Sequence, residues 1–180
     1  MADNLDKAVA YTKAFVNALS GAAEEMSGML NAPDIREKEP ESFGNLRRTV
    51  TGMMAMGEDC TPQEIQDHLE GLRNAAGKSI SELRNNNMEH GSVHMILAKG
   101  LAEFAEAQHA AFQKHSQDLL QPDQPINEQE LEKKTAVRMK VSLDNLQKET
   151  QLNMREKHER VYKAAENQGP SKSSASIGKR

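Results

Sequence analysis

The sequence predicts an all-α protein: an up-and-down four-helix bundle, followed by a long C-terminal helix and a disordered tail. Only 3% of the 180 residues are aromatic, and none is Trp. Sheets usually need many aromatic and β-branched side chains, so this composition favours helix. Leu, Ile, Val and Phe together account for 32 residues. The core must therefore also draw on Ala and on the ten Met residues.

The first predicted helix has the clearest pattern. Its apolar residues alternate in steps of four and three from Leu5 to Leu30, and a second apolar row lies beside them. Together the two rows form the wide apolar face of a bundle helix rather than the narrow seam of a coiled coil. Gly21 and Gly28 either weaken this helix or let a neighbouring helix come close.

Three further helices complete the predicted bundle, which spans residues 3–120. A charged connector, 31–41, leads into a short helix. The next helix starts at a capping box, in which the Thr61 side chain and the Glu64 side chain satisfy each other's backbone N–H groups. The fourth helix begins at Ser92, and its apolar residues again recur at helical spacing.

The Gln- and Pro-rich stretch at 121–125 interrupts the helical pattern and predicts a boundary. We therefore expect an acidic helical bundle over 1–125, a long basic helix over 126–168 and a disordered tail over 169–180. Residues 1–125 carry a net charge of −8, and the remaining residues carry +4. Because the long helix has a sparse apolar stripe, we expect it to project partly from the bundle or to pair with a partner.

The sequence also limits the possible cellular compartments and the possible classes of ligand. A single Cys excludes an intramolecular disulfide, and no basic-plus-apolar signal peptide is recognisable. No apolar run approaches the roughly 18 residues of a membrane span. We expect a cytoplasmic protein, with signal-independent secretion left open. The basic C-terminal part, residues 126–180, contains eight acidic residues and one aromatic residue, which disfavours a nucleic-acid partner. No cofactor or small-molecule substrate is indicated.

One spacing raises the alternative of a metal site. Glu106 and His109 have the Glu-x-x-His spacing of di-iron bundles, and Glu103 lies one turn earlier on the same predicted helix. Such sites need a second Glu-x-x-His motif, and the sequence has none. These three side chains are therefore expected on the solvated side of the helix. A helical metalloenzyme with a carboxylate/His site remains an alternative.

A methionine cluster is one candidate surface for binding a partner. Met53, Met54 and Met56 occupy three of four consecutive positions, so they cannot all face one core stripe. Flexible thioethers suit adaptable binding surfaces. Met53 fits the stripe of its helix, whereas Met54 or Met56 is expected to be exposed. The simpler interpretation is a loose core near a helix end.

The absence of a catalytic motif favours a non-enzymatic interaction protein: an adaptor, scaffold or oligomerising factor that acts through helix faces. The expected partner is another protein or a second copy, bound through the seam of the long helix at Met139, Leu143 and Leu146. A second interpretation is a small secreted effector or a secretion-chaperone-like protein, because a Ser/Lys-rich C-terminus is compatible with an export signal.

Overall fold

The computed structural model describes the backbone of residues 2–86, 92–118 and 128–176, and the side chains of 8–86, 92–114, 129–130 and 132–165. These parts of the chain form six helices and no strand, which confirms the all-α fold class. In chain order the helices are α1 (Ala2–Leu30), α2 (Pro33–Arg36), α3 (Phe43–Met54), α4 (Pro62–Asn85), α5 (Val93–Asp118) and α6 (Glu128–Ser176).

Local sequence signals explain the start of α4. The Thr61 hydroxyl accepts a hydrogen bond from the Glu64 backbone N–H at 3.2 Å, and the Thr61 N–H donates to Glu64 Oε1 at 3.4 Å. Pro62 takes the first helical position, where its missing N–H would have had no intrahelical partner. The predicted capping box is therefore confirmed.

The five long helices form a closed ring. α1 contacts α3 and α6, α4 contacts α3 and α5, and α5 contacts α6. The Phe15 and Phe112 rings, 4.8 Å apart, bring the C-terminal part of α5 beside the first half of α1. α5 is therefore antiparallel to α1. The four helices predicted over residues 3–120 are present, and α6 adds a fifth member to their ring.

Hydrogen bonds between elements fix the directions of α3 and α4. The Ser20 hydroxyl donates to the Met54 carbonyl at 3.1 Å, so the end of α3 lies beside the middle of α1. The Ser42 N–H donates to Glu82 Oε2 at 2.9 Å, so the end of α4 lies beside the start of α3. Together with the direction of α5, these contacts make α1, α3, α4 and α5 alternate in direction, as in an up-and-down bundle.

α6 runs parallel to its neighbour α1. Near the start of both helices, the Arg138 guanidinium interacts with Tyr11. At the opposite end, His158 Nε2 lies 2.8 Å from Asp34 Oδ2, just beyond α1. A closed up-and-down ring with an odd number of helices must contain one parallel pair, and here that pair is α1 and α6.

α6 both packs on the bundle and projects from it. Its 49 residues span about 74 Å, whereas the 29 residues of α1 span about 44 Å at 1.5 Å per residue. Met139, Leu143 and Leu146 belong to the same hydrophobic core as α1, α3, α4 and α5. Because its neighbours are shorter, the rest of α6 extends beyond them.

Two boundaries differ from the sequence prediction. The connector contains a one-turn helix, α2, because Pro33 suits the first position of a helix. The long helix was expected to end before Gly169, whereas α6 continues to Ser176. Disorder of the tail over 169–180 stays a prediction. The predicted end of the fourth helix at 119–120 lies outside the described residues.

The core combines Leu, Ile, Val and Phe with many Met and Ala side chains, as the composition predicts. One aromatic cluster in it consists of Tyr11, Phe15 and Phe112, where α1 meets α5. Burial raises the pKa of Tyr11 to about 12, and the Arg138 guanidinium from α6 partly opposes that shift. The buried Met and Ala side chains are Met26, Met29, Met53, Met95, Met139, Ala14, Ala18, Ala22, Ala23, Ala75, Ala76, Ala98 and Ala105.

Candidate interaction surface on the C-terminal helix

The first half of α6 presents one inner face to the bundle. We call residues 132–154 the docked segment. Its inner positions are buried and follow one another in steps of four or three residues. They are Thr135, Met139, Leu143, Leu146 and Thr150. Each fully buried Met or Leu contributes about 1.5–3 kcal/mol to the free energy of unfolding, so these three side chains are main contributors to holding the segment in place.

On the α5 side, the docked segment makes a very close contact. A Cβ atom added to Gly100 would lie only 2.2 Å from Leu146 Cδ1 and 2.8 Å from Leu146 Cδ2. Leu146 therefore occupies the space that a side chain at position 100 would need. The glycine lets the two helix backbones approach, in the way that small residues do at close helix crossings.

On the α1 side, two cavities border the same segment. A cavity of about 250 Å³ lies between the helices, beside Gly21 and Met139. A second cavity, of about 350 Å³, lies beside Gly28 and Met154. A Cβ atom at either glycine would meet nothing within 4 Å. Here the glycines border open space and do not serve a close approach.

Glu25 lines both of these cavities. Its Oε2 atom is buried and has no hydrogen-bond partner. Burial raises the pKa of Glu25, the nearby carboxylate of Asp144 raises it further, and Lys140 opposes both effects. The parallel seam between α1 and α6 thus contains a carboxyl group whose charge is poorly compensated.

Polar contacts also hold the connector and the start of α3. His94 is buried, and its Nε2 atom lies 2.8 Å from the Ile35 carbonyl oxygen, so this nitrogen carries the proton. Both Glu82 oxygens accept hydrogen bonds, from the N–H groups of Glu41 and Ser42. The Ser42 side chain and these backbone groups hold the pKa of Glu82 below its usual value.

Beyond Met154, α6 leaves the bundle. We call residues 155–165 the exposed segment, because every side chain in it is exposed. The inner-face series continues from Thr150 to Met154 and, two turns later, to Val161, with Lys157 and His158 in the turn between them. Val161 nevertheless retains 62% of its accessible surface, and the adjacent Tyr162 retains 69%. The inner face of α6 therefore extends beyond the end of α1, the helix that covers it.

Charged side chains surround these two apolar residues. Because the four basic groups outnumber the two acidic ones, the exposed segment carries a net charge of +2. His158 contacts Asp34 at the edge of the bundle and marks the start of the uncovered part. The basic residues are Arg155, Lys157, Arg160 and Lys163, and the acidic residues are Glu156 and Glu159.

The seam residues predicted from the sequence do not lie on an accessible surface. Met139, Leu143 and Leu146 are buried within this chain. Their role in binding a partner stays a prediction, and it requires α6 to leave α1 and α5. The exposed valines of the docked segment, Val137 and Val141, lie on its outer face instead.

The methionine cluster divides as the helical pattern predicts. Met53 is fully buried, Met54 is 37% exposed, and Met56 packs half-buried against the core. The Met54 carbonyl also accepts the hydrogen bond from Ser20, which fixes this end of α3 to α1. Binding of a partner by the cluster stays a prediction, and Met54 is its most accessible member.

The carboxylate and histidine candidates lie on the α4/α5 side. Glu106 and His109 line a groove of about 250 Å³ together with Glu70 of α4, and Glu103 is exposed. In the part of the chain with described side chains, no three His, Cys, Asp or Glu residues are close enough to hold a metal ion. Burial, with Glu64 and Asp59 nearby, raises the pKa of the Cys60 thiol and disfavours its reactive thiolate.

Three features of this region were missed by sequence reasoning. Gly100 gives no signal in the sequence, because its role depends on Leu146 of another helix. Glu25 reads as an ordinary polar position of α1. Val161 belongs to the predicted stripe, but its exposure depends on where α1 ends, which the pattern of α6 alone does not reveal.

The chain matches no protein-family model, and neither the curated proteins nor the solved structures include one with significant similarity to it. Within the described residues, none of the helices combines the length and apolarity needed to cross a membrane.

Proposed function

We propose that this chain is a non-enzymatic interaction protein that uses the exposed segment of α6 to bind a protein partner. The observation that carries the proposal is the seam that continues past the bundle to Val161, beside the exposed ring of Tyr162. Exposed apolar residues rimmed by charge are typical of sites of protein association. Tyr is also enriched among the residues that dominate binding energy.

A helix that leaves its bundle gains little from its own surroundings. Most helical stability in proteins comes from tertiary packing, and a short unpacked helix is marginal in water. A partner helix that continued the line of α1 would cover Val161. It would also give the exposed segment the packing that it lacks within this chain.

The charges suggest the partner's chemistry. The exposed segment is basic, so it fits an acidic surface that offers an apolar notch. Residues 1–125 of this chain carry a net charge of −8, so a second copy offers such a surface and is the first partner to test. The role would then be that of an oligomerising factor.

Paired variants of the full chain test where binding occurs. The first carries Val161→Asp and Tyr162→Asp. The matched control carries Val137→Asp and Val141→Asp, which places the same charge on valines that are 59% and 53% exposed on the docked segment. Light scattering after size exclusion gives the solution mass, for comparison with the 19.9 kDa of one chain.

We expect an oligomer for the native chain and for the control, and a monomer for the Val161/Tyr162 variant. If all three are monomers, a second copy is not the partner. The same three proteins are then used as baits in affinity capture. A partner retained by the native chain and the control but lost by the Val161/Tyr162 variant supports the proposal. Identical captured proteins for all three baits would refute it.

A further inference from the structure

The larger cavity between α1 and α6 is separate from the exposed segment and has the features of a small-molecule site. Its volume of about 350 Å³ falls within the range of ligand pockets in proteins. Its lining mixes apolar side chains, among them Met29, Leu97 and Met154, with the polar side chains of Glu25, Gln147 and Gln151. A ligand that matches this mixed lining must itself have an apolar body and a polar head.

The charges near Glu25 determine which charge the polar head group of a ligand can carry. Glu25 Oε2 is buried without a hydrogen-bond partner, and the carboxylate of Asp144 lies near it. Among the described side chains, Lys140 forms no ion pair with Glu25. Because a buried carboxylate without a partner is unfavourable, a cationic group at Glu25 would be stabilised and an anionic group would be repelled.

We infer that the larger cavity between α1 and α6 binds a small organic cation: an ammonium group at Glu25, on a short apolar chain packed against Met29, Leu97 and Met154. The ammonium group donates hydrogen bonds to the Glu25 carboxylate, and the amides of Gln147 and Gln151 line the same cavity from α6. A metal ion fits less well, because no group of three suitable ligands exists among the described side chains. The inference stands independently of the proposed interaction role.

The raised pKa of Glu25 supports the assignment. Burial and Asp144 disfavour the ionised carboxylate, and a bound ammonium group would compensate for both. The cavity also has an open wall at Gly28, where a Cβ atom would meet nothing within 4 Å. A side chain can therefore be placed there to block the cavity without displacing a neighbour.

Calorimetric titration of the full chain with n-hexylammonium chloride tests the inference. Sodium hexanoate and 1-hexanol, which keep the apolar chain but change the head group, are the matched ligands. We expect saturable binding of hexylammonium, at least about tenfold weaker binding of hexanol and no binding of hexanoate, because charge-assisted hydrogen bonds are the strong ones. Absence of saturable hexylammonium binding, or equal affinity for all three ligands, would overturn the inference.

Three variants place the site. Glu25→Gln should weaken hexylammonium binding at least about tenfold, since it removes the ionic partner. Glu24→Gln, an exposed neighbour that lines neither cavity, should bind like the native chain. Gly28→Leu should bind at least about tenfold more weakly, with a melting temperature no lower than native. Native affinity in Glu25→Gln or in Gly28→Leu would place the binding elsewhere and overturn the assignment.

Discussion

The two sides of the docked segment differ in how closely they pack. Against α5, Leu146 fills the space where Gly100 has no side chain. Against α1, Gly21 and Gly28 face cavities of about 250 and 350 Å³. The antiparallel contact is very close at Gly100, whereas cavities border the parallel contact that completes the odd-numbered ring. Glycines within helices therefore have two different roles here: one is required for packing, and two leave space unfilled.

Leu→Ala substitutions on the two sides should show the largest difference. Leu146 packs in the close contact with α5, whereas Leu143 borders the smaller cavity on the α1 side. We expect Leu146→Ala to lower the free energy of unfolding by about 4 kcal/mol and Leu143→Ala by about 2 kcal/mol, because a residue beside an existing cavity loses fewer contacts. Urea unfolding monitored by circular dichroism measures both values, and an equal or reversed order would contradict the comparison.

Gly100→Ala should lower the free energy of unfolding by about 1–3 kcal/mol, because the new methyl group overlaps Leu146. A double-mutant cycle with Leu146→Ala isolates this overlap. The double variant should be more stable than the sum of the two single effects implies, since shortening Leu146 makes room for the methyl group. Strict additivity in urea unfolding would show that the close contact does not exist in solution.

The same chemical change should have the opposite sign on the α1 side. Gly21→Ala and Gly28→Ala should each raise the free energy of unfolding by about 0.5–1 kcal/mol, because Ala favours helix and its Cβ meets no neighbour at either position. Thermal unfolding of each variant beside Gly100→Ala provides the measurement. Destabilisation by both substitutions would mean that α1 and α6 lie closer together than the cavities require.

Two carboxyl groups extend the comparison to pH, with the smallest expected effects. The pKa of Glu25 is raised, so its ionisation destabilises the fold as pH rises above the usual value of 4.5. The pKa of Glu82 is lowered, so its carboxylate stabilises the fold above pH 4.5, and this contribution is lost as pH falls through the lowered pKa. At pH 7, Glu25→Gln should be more stable than native and Glu82→Gln less stable.

Both differences should shrink towards acid pH, where the native carboxyl groups are themselves protonated. Melting temperatures of the native chain and the two Gln variants, measured from pH 3 to pH 8, test this expectation. Curves that keep a constant separation over that range would show that the variants act through packing and not through ionisation.

Structural features determined by a local stretch of sequence could be predicted, whereas contacts between residues far apart in the sequence could not. The capping box of Thr61 and Glu64 and the burial of Met53 beside exposed Met54 follow from local patterns. The docking of α6 depends on Gly100 of another helix. The end of the long helix was predicted less well. Gly169 and Pro170 indicated an end before residue 169, whereas α6 extends to Ser176.

The same distinction applies to the candidate site. The sequence identified the seam of the long helix, but it did not show that Met139 and Leu143 would be covered by α1 while Val161, further along that seam, would not. Coverage depends on the relative lengths and directions of two helices. The exposed segment therefore cannot be recognised from the sequence of α6 alone, because its exposure depends on where α1 ends beside it.

Hydrogen–deuterium exchange of the full chain tests the division of α6 into two segments most directly. At a concentration where the chain is monomeric, peptides from 132–154 should exchange at least about tenfold more slowly than peptides from 155–165, because only the first segment is protected by packing. Partner binding should then slow exchange in the second segment. Equal exchange rates in the two segments of the monomer would contradict the division on which the proposed function rests.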